Sequence, residues 1–376
     1  MPFTISKPPF SNKPPPPVPI PPIGLFSTAK SLADGRMVWL SIPQPDYLSI
    51  IVPITPTVYG NGVSASLSVA AFANGLGKYF QDQPFNAHWA GGNVWWNVEL
   101  KESLWREASL TMGSRQAVVY FSLLKSKKNG HRLRIDLNPR KLGKKGFAQL
   151  SLVLGGANAP FDLPNLLGQA WVTRVDIAVD VVGVHISEVV GKHKDQGKRV
   201  LYVGSDGALE SLYIYRKRNA TKLSGDPPKK LKPGPSRIGT NLVRIYDRVR
   251  EREANGKEPP FGPSPVTRIE VIKRLAKRPL QDISKIPNPL ERLRIGFIES
   301  QFQVLYKGHA GPWLRYVAIR HTHTSKDTLR LLGETGDTAL GTLDTVPFAD
   351  LLDADNWKAW EDGMKFTGLA DFIGAS

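Results

Sequence analysis

The sequence of 376 residues contains no cysteine. A disulfide framework, a thiolate zinc site and a cysteine nucleophile are therefore all excluded. The same absence fits a reducing compartment. Long apolar runs are missing too. A run such as LSIIVPI, residues 48–54, has the length of a strand and is broken by Pro53, so no segment is expected to cross a membrane. The first residues lack the apolar stretch of a signal peptide, and a cytoplasmic location is expected. No glycine-rich loop closes on Gly-Lys-Ser/Thr, so nothing marks a nucleoside triphosphate cradle. The flanking motifs of serine hydrolases and aspartic proteases are absent, and no internal repeat of fixed period is found.

Acidic residues are the minority charge. Lys and Arg number 50 against 33 Asp and Glu, a net charge of +17. Such an excess speaks to partners rather than to fold, and the partner it suits is a polyanion, most often nucleic acid. The charge is unevenly placed, with basic residues crowded into 192–278 and the last fifty or so residues leaning acidic. Proline, by contrast, is plentiful at the start. Residues 1–23 are so dense in it that an extended, disordered tail is expected, because proline removes the backbone donor and fixes φ. The whole chain is 41% hydrophobic and 9% aromatic, enough for a real core in one large or two smaller domains.

The periodicity divides this remainder into an α+β region over 24–125, a core over 126–300 carrying a basic loop at 219–241, and a mostly helical region over 301–376. Strands are expected at MVWLSIP, YLSIIVPI, NVWWNVELK, HRLRIDL, TRVDIAVDVV, KRVLYVGS, LESLYIYRKR, LVRIYD and VTRIEVIKRL. SRQAVVYFSLL reads as strand or short helix, and VAAFANGLGKYF as a weak helix. FDLPNLLGQAW reads as a short helix entering the strand TRVDIAVDVV. GVHISEVVGKHK is expected to start a helix, and NPLERLRIGFIESQFQVLY has helical spacing. Helices are also expected near the C-terminus at DTLRLLGE and DADNWKAWEDGMKF.

One feature recurs in four of these strands. With side chains alternating between faces, TRVDIAVDVV puts Val175, Ile177, Val179 and Val181 on one side and Arg174, Asp176, Ala178 and Asp180 on the other. LRIDLNP opposes Leu133, Ile135 and Leu137 to Arg134, Asp136 and Asn138. VRIYDR aligns Arg244, Tyr246 and Arg248, and TRIEVIKR aligns Arg268 and Glu270 with Ile272. Each strand has one apolar face and one face of arginine with acid or tyrosine. An exposed face laced with weak cross-strand ion pairs accounts for this pattern. So does convergence of the faces on one site. Clustered carboxylates repel each other, and a hard divalent cation, Mg²⁺ or Mn²⁺, relieves the repulsion. Arginines match phosphate, and tyrosine supplies an oxygen nucleophile. Together these residues suit covalent cleavage of a phosphodiester.

RIDLNPRKL, TRVDIAVDVV, LYVGS, VRIYDR and TRIEV, in that order over roughly 90–290, resemble the replication initiation factor family of rolling-circle plasmids and filamentous phages. The resemblance implies an α+β fold, with a central antiparallel sheet flanked by helices and related to the palm of relaxases and viral initiators. It implies a metal-dependent nickase that cuts one strand at an origin, keeps the 5′ phosphate on a tyrosine and leaves a 3′-hydroxyl primer. Partners implied are origin DNA, supercoiled or single-stranded, a host helicase and polymerase, and a second subunit in a homodimer. Motif by motif, Tyr246 matches the nucleophile, with Arg244 and Arg174 beside it, and Asp176 and Glu270 match the metal ligands, with Asp180 or Asp136 as a helper. Asp180 is equally able to orient an arginine. Arg248 stands where the family carries lysine. A long insertion before VRIYDR leaves Tyr215 and Tyr202 as competing nucleophiles. Arg248 and Arg268, and Lys229, Lys230, Lys232 and Arg237 of the basic loop, are candidate DNA contacts, though the loop also reads as a solvated linker, and Arg174, Arg244 and Arg268 are candidate partners of phosphate or of a carboxylate. A DNA-binding protein without enzymatic activity is the main rival reading. A structural virion protein with a basic face is a more distant one. His321 and His323 share one strand face but lack the apolar residue between them that a paired metal motif needs. His185 reads as a partly buried histidine that binds no metal, and His193 as a solvated residue or a phosphate contact. Trp95 and Trp96 fall on opposite faces, so at most one is free to stack on a base.

Overall fold

In this computed structural model the described residues are 25–31, 37–60, scattered positions between 63 and 79, 88–89, 92–100, 106–112, 117–126, 130–186 except 158, 189–193, 198–203, 209–215, 241–297 except 292, and 354–374. The proline-rich tail, the basic loop with Lys229, Lys230, Lys232 and Arg237, the segment DTLRLLGE and the pair His321 and His323 lie outside them.

Alternating patterns do form strands. In chain order they are β1 (Phe26–Ser31), β2 (Met37–Ser41), β3 (Gln44–Pro53), β4 (His88–Trp89), β5 (Gly92–Leu100), β6 (Arg106–Met112), β7 (Ala117–Ser126), β8 (Gly130–Leu137), β9 (Trp171–Val182), β10 (Val189–His193), β11 (Lys198–Val203), β12 (Leu209–Tyr215), β13 (Asn241–Asp247), β14 (Pro260–Pro263), β15 (Val266–Pro279) and β16 (Leu293–Phe297). Thirteen of them join one sheet, whose central order is β12-β13-β15-β9-β3-β8-β7. Neighbours along this run are antiparallel. β3 sits between β9 and β8, so the sequence boundary expected at 125 does not divide the sheet.

Helices start where short polar side chains cap them. Asn138 accepts from Lys141 N at 2.9 Å and Pro139 follows, opening α1 (Pro139–Gly155). Asp162 accepts from Asn165 N at 3.0 Å to open α2 (Leu163–Gly168). Asp247 accepts from Val249 N and Arg250 N to open α3 (Arg248–Ala254) directly after β13. Three short helices, α4 (Ala354–Lys358), α5 (Trp360–Thr367) and α6 (Leu369–Gly374), follow near the C-terminus. No helix among the described residues is long and apolar enough to cross a membrane.

The apolar side of the sheet is the core. At one end Leu48, Ile50, Ile135, Leu137, Val175 and Ile177 pack under Phe147, Leu150 and Leu154 of α1, Leu166 of α2, Trp360 and Met364 of α5 and Phe372 of α6. At the other, Val179, Val181, Val243, Ile245, Ile269 and Val271 pack with Ile186, Val189, Leu290 and Leu293. The architecture is α+β, an antiparallel sheet with helices on it, as the resemblance implied.

Two expected helices are strands. Val189–His193, inside GVHISEVVGKHK, pairs antiparallel with Leu293–Phe297, inside NPLERLRIGFIESQFQVLY. Each is a short apolar run whose spacing fits helix or strand, and a partner about a hundred residues away decides between them. Helix α1 carried no helical signal in the sequence because glycines interrupt it. Gly143, at φ 60° and ψ 179°, breaks the helix there, a backbone that glycine alone adopts at low cost.

Helix α5 touches the start of β3 through Gly363, where a β-carbon would lie 1.8 Å from the Pro43 carbonyl oxygen. Gly363→Ala is expected to destabilise the fold by about 1–3 kcal/mol. A lower urea midpoint with an unchanged m-value would show it.

Candidate nucleic-acid processing site

The strand register turns the sequence pattern into rows of neighbours across the polar face. One row runs Ser211, Tyr246, Arg268, Asp180. The next runs Tyr213, Arg244, Glu270, Ala178, Gln44. A third runs Leu242, Ile272, Asp176, Tyr47. Tyr246, Arg244, Glu270, Asp176 and Asp180 are thus brought onto one surface, where Arg174 joins them. Arg248 does not continue the strand face, because β13 ends at Asp247 and Arg248 begins α3.

Asp180 and Arg268 form the innermost pair. Arg268 Nε donates to Asp180 Oδ1 at 2.6 Å and Nη2 to Oδ2 at 2.9 Å. Arg268 Nη1 reaches Asp46 Oδ1 at 3.3 Å, and Arg140 Nη1 donates to Asp180 Oδ2 at 3.1 Å. Ser41 Oγ accepts from the Asp180 backbone N–H at 2.8 Å. Arg268 is 1% exposed. Of the two partners expected for it, DNA phosphate or a carboxylate, the guanidinium takes the second, bonding two carboxylates inside the protein. Asp180 takes the role of orienting an arginine.

Arg244 organises the second row. Its guanidinium lies 3.6 Å from Glu270 Oε2, 4.2 Å from the Tyr246 ring centroid and 5.7 Å from that of Tyr213, within cation–π range. The Nε atoms of Arg244 and Arg248 are buried with no hydrogen-bond partner among the described residues. Each is a cationic donor that an anion would satisfy. Arg174 donates from Nε to Asp176 Oδ1 at 2.7 Å and covers the Tyr47 ring at 4.5 Å.

Burial sets the protonation of this surface. It pushes the Glu270 carboxyl up to about 8, helped by the Asp46 and Asp176 carboxylates and opposed by Arg244 and Arg174. Burial, then the Glu270 charge, holds the Tyr246 phenol well above the ordinary tyrosine range, while Arg248 and Arg244 pull it down. Tyr246 is 4% exposed, so it rests as a neutral, covered phenol. Burial and the Asp136 carboxylate push Tyr47 up to about 12.

The acids expected to share Mg²⁺ or Mn²⁺ do not form a ligand set as they stand. Among the described residues no three His, Asp or Glu side chains group to hold a metal. Asp180 is occupied by Arg268 and Arg140, and Asp176 by Arg174. Paired in this way, the acids do not fit a bound cation.

Asp46, Tyr47, Arg140 and Tyr213 belong to this surface and were not anticipated. Pro45-Asp46 reads locally as a turn, and only the pairing of β3 with β9 brings it to Arg268. Tyr213 had a signal, since it shares the parity of Tyr215 in YIYRKR. Tyr215 and Tyr202 occupy rows on the same face, but their side chains, like those of His193, Trp95 and Trp96, lie outside the description. His185 Nε2 sits 3.3 Å from Asp247 Oδ2, beside the α3 cap.

No protein-family model and no curated protein matches the chain. Among solved structures, three chains match. One, a rolling circle replication initiator protein from Geobacillus stearothermophilus, is 13% identical, with 75% of this chain and 97% of that chain covered and a TM-score of 0.30.

Two stability predictions follow from the charge pairing. Arg268→Ala leaves Asp180 buried with Arg140 as its remaining partner, and a loss of about 3–5 kcal/mol is expected in chemical unfolding. Because Glu270 holds its proton to about 8 when folded and to its lower ordinary value when unfolded, the folded state binds the extra proton in between. Stability therefore falls as pH rises from about 4.5 to about 8, then levels. Glu270→Gln is expected to flatten that slope, measured by urea midpoints at several pH values.

Proposed function

We propose that the chain is a DNA strand-nicking replication initiator with Tyr246 as nucleophile. The observation that carries this reading is the pair of buried Nε donors on Arg244 and Arg248, which have no hydrogen-bond partner among the described residues and flank Tyr246 in sequence, in a chain of net charge +17. A phosphodiester seated there would satisfy both donors and bring its phosphorus to the phenol. The Tyr246 oxygen forms a bond to phosphorus, the bond to the 3′ oxygen breaks, and that oxygen leaves as a 3′-hydroxyl after taking a proton from water. The 5′ phosphate stays on the tyrosine. The phenol proton passes to Glu270, the charge Tyr246 feels most strongly. Arg244 and Arg248 neutralise the charge that builds on the phosphate. The free 3′ end would prime a host polymerase, with a helicase opening the duplex and a second subunit available for strand transfer.

The 4% exposure of Tyr246 favours one other reading, a DNA-binding regulator that does not cut. Wild type and Tyr246→Phe, incubated with supercoiled and single-stranded DNA carrying the native origin, separate the two on a denaturing gel. A covalent adduct that the phenylalanine variant lacks is expected. Its formation should accelerate as pH rises through about 8, where Glu270 becomes able to accept a proton. Parallel runs with Mg²⁺, Mn²⁺ and chelator show whether the acids recruit a cation on binding DNA. Binding without an adduct in any condition would establish the regulator instead.

A further inference from the structure

The two arginines that flank Tyr246 each face a carboxylate. Arg244 has Glu270 at 3.6 Å. Arg248 has Glu251, in the first turn of α3, to whose Oε2 its Nη1 donates. The two acids differ in setting. Glu270 is buried in the sheet, whereas the Glu251 side chain is a third exposed. Glu251 Oε1 also accepts from Asn255 Nδ2 at 3.3 Å, and Asn255 is exposed. Although Arg248 leaves the strand face, its charge acts on the site. Burial opposes that charge, and the Tyr246 oxygen, Glu251, Asp180 and Asp46 outweigh it, so the guanidinium holds its proton more tightly than usual. For Arg244 burial is outweighed by Tyr246, Tyr213, Glu270 and Glu251. Glu251 is thus a carboxylate common to both arginines, and it comes from the helix rather than from the sheet.

We infer that Glu251 is an internal counter-ion of this arginine pair, a gate that a phosphate oxyanion displaces from Arg248 on its way to Tyr246. The inference rests on the reading of Arg244 and Arg248 as phosphate ligands. A carboxylate and a phosphate offer a guanidinium oxygen pairs of similar geometry, so the two compete for the same nitrogens. Displacement of Glu251 is easy. An ion pair this exposed contributes little to stability, and rotation of one side chain between staggered positions releases it to solvent. Glu270 is unsuited to that part, because a buried carboxyl has no water to move into. The gate also confers selectivity. A lone anion meets arginines that are already neutralised and binds weakly. A nucleic acid strand holds its other phosphates on the rest of a basic protein, and those contacts offset the cost of moving Glu251. The acid therefore favours a polymer over free phosphate at the candidate site.

The test uses the full chain and two probes, inorganic phosphate and a thymidine dinucleotide with a single phosphodiester, each titrated calorimetrically at low ionic strength. Glu251→Gln keeps the size of the side chain and removes its charge. It is expected to tighten binding of both probes by about 3- to 10-fold. Glu253→Gln removes the same charge from an exposed position on the same helix and is expected to change binding by less than about twofold. In an Arg248→Ala background the gain from Glu251→Gln should vanish, because the cycle of four proteins isolates the pair. Glu251→Ala repeats the test without an amide beside Arg248, and unchanged urea midpoints exclude a folding defect. Binding of both probes by Glu251→Gln within about twofold of wild type would overturn the inference. So would a gain that persists without Arg248, and so would weaker binding, which would make Glu251 a residue that positions Arg248. The nicking reading fails separately. A gain on phosphate with none on the dinucleotide would keep the gate and count against DNA as its ligand, whereas a wild-type adduct with no gain on either probe would sink the gate alone.

Discussion

The buried ion pair of Arg268 with Asp180 is the constraint around which the polar face is arranged. Three carboxylate oxygens, two of Asp180 and one of Asp46, are matched there to three guanidinium nitrogens, and both Arg268 and Asp180 are buried. Removing either partner would strand a charge inside the protein, so the strands that carry them, β15 and β9, must keep their register. A slip of one residue would turn every polar side chain of these strands into the apolar core. The same clamp reaches Asp46 on β3 and Arg140 on α1, and so ties together segments far apart in sequence.

The two sides of the sheet divide the labour. The apolar side supplies stability by burying valine, isoleucine and leucine beneath helices α1, α2, α5 and α6. The polar side is left to hold charge in fixed places, because its strands are anchored from behind. Cations and acids on it are paired across strands, which keeps the cost of burial tolerable. Among the described residues pairing is incomplete at the Nε atoms of Arg244 and Arg248 and at Gln44 Oε1. Burial then governs the chemistry. It raises Glu270 into the range of a base that titrates near neutrality, and it keeps Tyr246 protonated until something displaces that balance.

Much of this was legible in the chain. The period of two in TRVDIAVDVV, VRIYDR and TRIEVIKR assigns the faces, with the exception of Arg248, which begins α3 after β13 has ended. The faces also identified Tyr246, Arg244, Asp176 and Glu270 as residues of one surface. What local pattern could not supply was partnership. Val189–His193 and Leu293–Phe297 look helical until they meet each other, and Asp46 looks like a turn residue until β3 docks beside β9.

The sequence by itself determined the alternation of apolar and polar side chains, the excess of positive charge and the absence of thiol chemistry, since each follows from residue identity and a fixed backbone period. The tertiary structure alone decided which charges meet. Carboxylates that look equivalent in sequence were sorted by their neighbours. Asp180 is taken by Arg268, Asp176 by Arg174, and Glu270 is left near two other acids with its proton held. That sorting depends on distance and burial, and both are set by strand order rather than by the strands themselves.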